Sequence, residues 1–79
     1  MEDKIKYIFG ELFKIKSEDF SQDLDVNTVL GWDSMNHLNL VIALEESFNV
    51  SFTTEEVILM TNVKAIIEIL RGKDERRAV

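Results

Sequence analysis

Three segments of this sequence carry apolar residues at helical spacing, and this periodicity most restricts how the chain can fold. The segments cover residues 5–15, 35–48 and 63–70. In each of them apolar side chains recur three or four positions apart, which places them on one face of an α-helix and not along a strand. Helices of this kind bury their apolar faces against one another. The pattern therefore predicts an all-α fold in which three main helices form a small bundle.

Capping residues predict where the helices begin and end. N-caps are predicted at Asp3, Asp33, Thr53 and Asn62. Thr53 and Glu56 have the spacing of a capping box, so a short third helix should run to about residue 60 and complete a four-helix bundle. Asn49 and Gly72 suit the residue that follows a helix, and they predict the ends of the second and last helices. The domain is expected to span residues 1–72, followed by a charged, frayed tail at 73–79.

Residues 17–33 show no sustained period and are rich in Ser, Asp, Asn and Thr, which predicts a long first loop. Five apolar residues in it are expected to pin it to the core: Phe20, Leu24, Val26, Val29 and Leu30. Loops of this length in small domains are usually functional or disordered. The apolar anchors favour an ordered, functional loop.

Composition excludes several kinds of site. The 79 residues include no cysteine and one histidine, so disulfides and cysteine-based metal sites are excluded and a zinc site is not expected. No apolar run approaches the roughly 20 residues that a membrane-spanning helix needs, and no signal-peptide pattern is present. We expect a cytoplasmic protein that is a monomer or part of a small complex.

Charge is distributed unevenly along the chain. The net charge is −6, and residues 17–63 contain nine acidic residues but no Lys or Arg. Such a surface repels phosphate backbones and anionic lipid, so nucleic-acid binding is not expected, whereas basic patches on other proteins would be attracted. The alternative is an acidic surface that serves solubility alone.

Asp33, Ser34 and His37 superficially resemble a hydrolase triad. Catalysis of that kind requires a base oriented on the nucleophile, a third group orienting the base, and an oxyanion hole. Ser34 and His37 lie on one helical turn with no second wall predicted around them. We therefore expect no enzymatic activity.

Ser34 is better explained as a modification site. It lies where the long loop meets the second helix, and a phosphodiester on its oxygen would meet the positive end of the helix dipole. Without its neighbours, however, Ser34 would more simply be interpreted as an ordinary first-turn serine.

The residues around Ser34 resolve this ambiguity. The stretch Leu30-Gly31-Trp32-Asp33-Ser34-Met35 leads into a helix that ends in Leu44-Glu45-Glu46-Ser47-Phe48. This pattern resembles the acyl carrier protein signature, in which Leu-Gly-x-Asp-Ser-Leu precedes a helix ending in Leu-Glu-Glu-x-Phe. The resemblance extends over nearly the whole chain, with matching length, helix order and acidic middle.

The resemblance implies a specific chemistry at Ser34. In that family a phosphopantetheinyl transferase moves 4′-phosphopantetheine from coenzyme A to the serine hydroxyl. The thiol of this arm then carries acyl groups to acyl-loading, condensing or acyl-transfer enzymes with basic patches, in fatty acid, lipid or polyketide-type biosynthesis. The residues expected to dock such partners are Asp33, Met35, Asn36, His37, Asn39, Glu45, Glu46, Glu55 and Glu56.

Some positions depart from the family pattern. Asn36 and Asn39 stand where carriers of primary fatty acid synthesis have acidic residues, which favours a specialised carrier and predicts a gain in partner competence from combining Asn36→Asp with Asn39→Glu. Met35 replaces the usual Leu. Trp32 is expected to be a partly exposed aromatic packed on the loop, and His37 a surface residue able to gain charge near the arm's phosphate.

Two other functions remain open on sequence grounds. One is an aminoacyl or peptidyl carrier of the nonribosomal type, although those domains have a Gly-Gly-x-Ser approach that this chain lacks. The other is a structural subunit whose acyl chain holds it in a complex.

Overall fold

Four α-helices make up the domain. The computed structural model describes the backbone of residues 1–77 and the side chains of residues 1–73. The helices are α1 (Glu2–Phe13), α2 (Ser34–Phe48), α3 (Thr54–Leu59) and α4 (Val63–Arg77), with a single 3₁₀ turn at Ser17–Asp19. This confirms the predicted bundle of three main helices, one short third helix and a long first loop. Within the described residues, no helix is both long and apolar enough to cross a membrane.

The core lies between α1, α2 and α4 and is closed by residues of the long loop. The largest fully buried side chains are Phe9, Ile5, Leu40, Leu44, Met60, Ile66, Ile67, Leu70 and Val63. They include members of all three predicted stripes, although Leu38 and Ile42 of the second stripe are exposed. Burying each large aliphatic side chain contributes about 1.5–3 kcal/mol, which makes these stripes the main stabilising feature.

Most of the predicted helix ends are confirmed. The Asp33 side chain accepts from the backbone N–H of Asn36, and Asn49 follows α2 in the left-handed conformation at φ 54°. Thr53 and Glu56 form the complete capping box. The Asn62 side chain accepts from the backbone N–H three residues later, at 2.7 Å.

Two predicted helix ends are wrong. Asp3 lies inside the first turn of α1, whose N-cap is Met1. Gly72 does not end α4, which continues beyond it. The side chain of the next residue, Lys73, is fixed by two contacts: its Nζ lies 2.8 Å from Glu56 Oε1 of α3 and 5.2 Å from the centre of the Phe52 ring. A helical glycine costs only about 1 kcal/mol, which such contacts can offset. Of the predicted tail, residues 73–77 belong to α4, and residues 78 and 79 lie outside the described residues.

The long loop is ordered by hydrogen bonds to the start of α4. Val26 N donates to Thr61 O and Val63 N donates to Leu24 O, both at 3.0 Å. Val29 is buried, as expected of an anchor, but Leu30 is 94% exposed and does not contact the core as predicted. The loop therefore passes across one end of the bundle and delivers Ser34 to its surface.

Candidate functional site

Ser34 is exposed as the first residue of α2, and a tight turn fixes its position. Gly31 adopts φ +89°, a conformation that side chains rarely allow. Its carbonyl accepts two hydrogen bonds, from Asp33 N at 2.9 Å and from Asn36 Nδ2 at 2.8 Å. Because Asp33 supplies the helix cap, the Ser34 hydroxyl is not needed for capping and remains available for chemistry.

Trp32 is part of the core, which corrects the expectation of a partly exposed residue. It is 6% exposed, and its ring centre lies 5.3 Å from that of Phe9 and 5.6 Å from that of Phe13. The indole therefore anchors the loop two residues before Ser34. Loop sequence has no period that could have revealed this burial.

His37 is also not the surface residue that sequence reasoning expected. Its half-buried imidazole accepts from Trp32 Nε1 at its Nδ1 atom, at 2.9 Å, and its Nε2 lies 2.8 Å from Val57 O. An indole N–H can only donate, so Nδ1 must be unprotonated and Nε2–H must donate to Val57 O. The neutral imidazole thus joins the loop, α2 and α3 beside Ser34. A charged imidazolium, which the sequence suggested, is incompatible with the Trp32 bond.

A shallow cleft of about 330 Å³ opens beside Ser34, between α2 and α3. Its lining is mainly apolar and is formed by Val26, Trp32, Asp33, Ser34, His37, Val57, Ile58 and Thr61. A slender apolar group tethered to Ser34 would lie directly at its mouth. Clefts with apolar walls and few polar groups are typical ligand sites.

Two of the carboxylates predicted to dock partners are engaged within the domain. Glu45 Oε2 accepts from Phe52 N at 2.9 Å. Glu56 Oε1 accepts from Thr53 N at 2.9 Å and pairs with Lys73. These bonds hold α3 to its neighbours. The bond from Thr53 N to Glu56 is the predicted capping box, whereas the partners Phe52 and Lys73 were not predicted from the sequence.

The other predicted docking residues differ in their availability. Met35 is 75% exposed, and Asn39, Glu46 and Glu55 are exposed as well. The Asn39 amide donates to Asn36 Oδ1 at 3.2 Å. Asn36 in turn holds the Gly31 turn, so an Asp at that position would remove a donor that the loop uses.

Sequence reasoning placed Met35 at the docking surface but did not recognise the exposed apolar face to which it belongs. Met35, Leu38 and Ile42, which we call the α2 apolar face, follow one another at helical spacing, and Leu38 and Ile42 are 59% and 54% exposed. Ile58 and Leu59 of α3 are exposed too. The available signal was that α2 is apolar nearly all round, more than one buried face requires.

This small helical domain combines an exposed serine at a helix N-terminus with an adjoining apolar cleft and a face that partners can reach. These are the properties of a carrier domain. The family model for the phosphopantetheine attachment site matches residues 3–70. The chain belongs to this family, and it is a carrier protein for a covalently attached phosphopantetheine group. Such carriers work with a phosphopantetheinyl transferase and with partner enzymes.

The residues at the start of α2 suit this group. The Ser34 hydroxyl is exposed, and the first N–H groups of a helix form a favourable environment for a phosphodiester. The apolar cleft begins at the same residue.

Proposed function

We propose that the protein is an acyl carrier that bears its 4′-phosphopantetheine arm on Ser34 and catalyses no reaction itself. The arm's thiol holds the acyl group as a thioester, which activates it for transfer in fatty acid, lipid or polyketide-type biosynthesis. The observation that carries the proposal is the exposed Ser34 at the mouth of an apolar cleft. The protein's own residues hold the serine in place: Gly31 forms the turn, and Asp33 caps the helix.

Attachment of the arm is a group transfer at phosphorus. The Ser34 oxygen bonds to the phosphorus that bears pantetheine, the bond from that phosphorus to the remainder of coenzyme A breaks, and the hydroxyl proton passes to the transferase. His37 is not suited to take this proton, because both of its ring nitrogens are already hydrogen bonded. For the same reason His37 is not suited to be the general base of a hydrolase, which argues against that function.

The apolar cleft favours acyl over aminoacyl or peptidyl cargo. Its walls are mainly hydrocarbon, which suits an alkyl chain, whereas the polar groups of a peptide would lose hydrogen bonds to water there. A specialised pathway is supported by the neutral residues on α2, which has no charged residue between positions 34 and 44.

Incubation with coenzyme A, magnesium and a broad-specificity phosphopantetheinyl transferase is expected to add one arm to each chain. Intact mass spectrometry measures this directly, and the mass of protein purified from its native cells identifies the cargo. Protein that gains no mass would contradict the carrier assignment, and an aminoacyl adduct from cells would replace acyl by aminoacyl cargo. A stable acyl adduct that never turns over would indicate a structural subunit.

Docking of partners is proposed to use the α2 apolar face with Asn39 beside it. Partners whose docking surface carries Lys or Arg gain little from a neutral amide, so Asn39→Glu should raise their encounter rate. One exposed pair contributes about 0.2–1 kcal/mol, and we expect malonyl loading by a standard malonyl transferase to rise by up to about fivefold. Added salt should reduce the gain.

Asn39→Gln is the matched control, because it preserves the neutral amide. Asn36→Asp is a poorer probe than it seemed from sequence, because it also removes the donor to Gly31 O. Equal loading rates for Asn39→Glu and Asn39→Gln at low salt would show that position 39 does not influence partner choice.

A further inference from the structure

The imidazole of His37 joins three elements around the cleft. It bonds Trp32 in the loop and Val57 in α3, at 2.9 and 2.8 Å, from its own position in the first turn of α2. All three residues line the cleft beside Ser34. The half-buried imidazole therefore ties the α3 wall of the cleft to the wall formed by Trp32 and α2.

This bridge depends on the protonation state of the ring. Neutral imidazole with its proton on Nε2 offers one acceptor and one donor, as the two partners require. Protonation places a second N–H on Nδ1, facing the indole N–H of Trp32. Two donors cannot bond, so the Trp32 contact is lost. Histidine is the side chain that ordinarily changes charge between pH 5 and 8.

We propose that neutral His37 is a latch that holds α3 against Trp32 across the cleft, and that protonation of His37 releases the Trp32 wall while the bond from Nε2 to Val57 O persists. The bridge needs no arm or cargo, so the inference does not depend on the proposed function. In a carrier, release of the Trp32 wall would change how much of a tethered group the cleft can shield from solvent.

Few charged groups surround the bridge. Of the described residues that line the cleft, Asp33 is the one that carries a charge, and its carboxylate accepts from Asn36 N. On α3, Glu56 precedes Val57, but its carboxylate is directed to Thr53 N and to Lys73 of α4. From α1, Trp32 is packed by the uncharged rings of Phe9 and Phe13. The bridge is therefore flanked by one carboxylate of the cleft lining and, on its core side, by uncharged rings.

The chain contains one Trp and one His, so NMR can follow both partners of the latch without ambiguity. The experiment titrates the full-length protein without an arm from pH 7.5 to 5.0. The ring signal of His37 reports protonation, and exchange of the Trp32 indole N–H with solvent, corrected for intrinsic pH dependence, reports release of the Trp32 wall. We expect this exchange rate to rise about tenfold as His37 titrates, with shift changes at Val57 and Ile58, as loss of one hydrogen bond allows.

His37→Gln supplies the matched control. Gln carries one acceptor and one donor at similar separation and does not titrate, so its indole exchange should be independent of pH after the same correction. His37→Ala should exchange quickly at every pH. The proposal is overturned by indole protection that stays constant while His37 titrates, by His37 remaining neutral down to pH 5, or by the same pH response in His37→Gln, which would place its origin in the carboxylates.

Discussion

Replacing Ser34 by Ala is expected to abolish attachment of the phosphopantetheine arm without unfolding the domain. The hydroxyl is the only group lost, and an alanine methyl cannot bond to phosphorus. Asp33, not Ser34, caps α2 through its bond to Asn36 N at 2.8 Å. Alanine is also the best helix former, so α2 should be unaffected. The measurements are intact mass after incubation with transferase and coenzyme A, and helical circular dichroism.

Ser47→Ala is the matched control for this experiment. Ser47 is also an exposed serine on α2, but it lies at the opposite end of the helix. It should accept the arm as fully as the wild type does. An arm on Ser34→Ala would move the attachment site to another residue, while failure of the wild type and both variants would argue against the carrier function itself.

Replacing Trp32 by Ala is expected to lower the free energy of unfolding by about 3–5 kcal/mol, as large-to-small substitutions of buried aromatics do. Its ring packs against Phe9 and Phe13, and its N–H bonds His37. A single core of this size usually supplies only about 3–5 kcal/mol, so this variant should retain little or no stability at 37 °C. Urea denaturation followed by circular dichroism measures the effect, since the variant has no tryptophan fluorescence.

Two further variants separate the contributions of Trp32. Trp32→Phe keeps an aromatic ring but leaves Nδ1 of His37 without its donor, and it should cost about 1–2 kcal/mol. Leu30→Ala changes a side chain that is 94% exposed and should change stability by less than about 0.5 kcal/mol. A loss in Trp32→Ala no greater than that in Leu30→Ala would contradict the burial of the indole.

The pairing of Trp32 with Leu30 shows where sequence reasoning reached its limit. Both are large apolar residues in the same aperiodic loop, and the sequence predicted Leu30 as an anchor and Trp32 as partly exposed. The structure reverses them, because the positive φ of Gly31 turns the chain between the two residues. Which side of such a turn faces the core depends on where the rings of α1 lie.

Most features that depend on neighbours within a few positions were predicted correctly from the sequence. The caps at Asp33, Thr53 and Asn62 and the left-handed Asn49 are formed within a single turn of chain. The helical stripes and the carrier family were likewise readable, because periodicity and motif are properties of the sequence itself.

Tertiary structure alone decided the rest. His37 bonds a carbonyl 20 residues away, and Glu45 bonds an N–H seven residues away across the turn after α2. These partners leave His37 and Glu45, which were predicted at the surface, half-buried and bonded within the domain. α2 is apolar on more than one side, so only the position of α1 and α4 determined which side would be buried and which would remain exposed beside Ser34. Burial depends on what packs against a side chain, and local sequence does not contain that information.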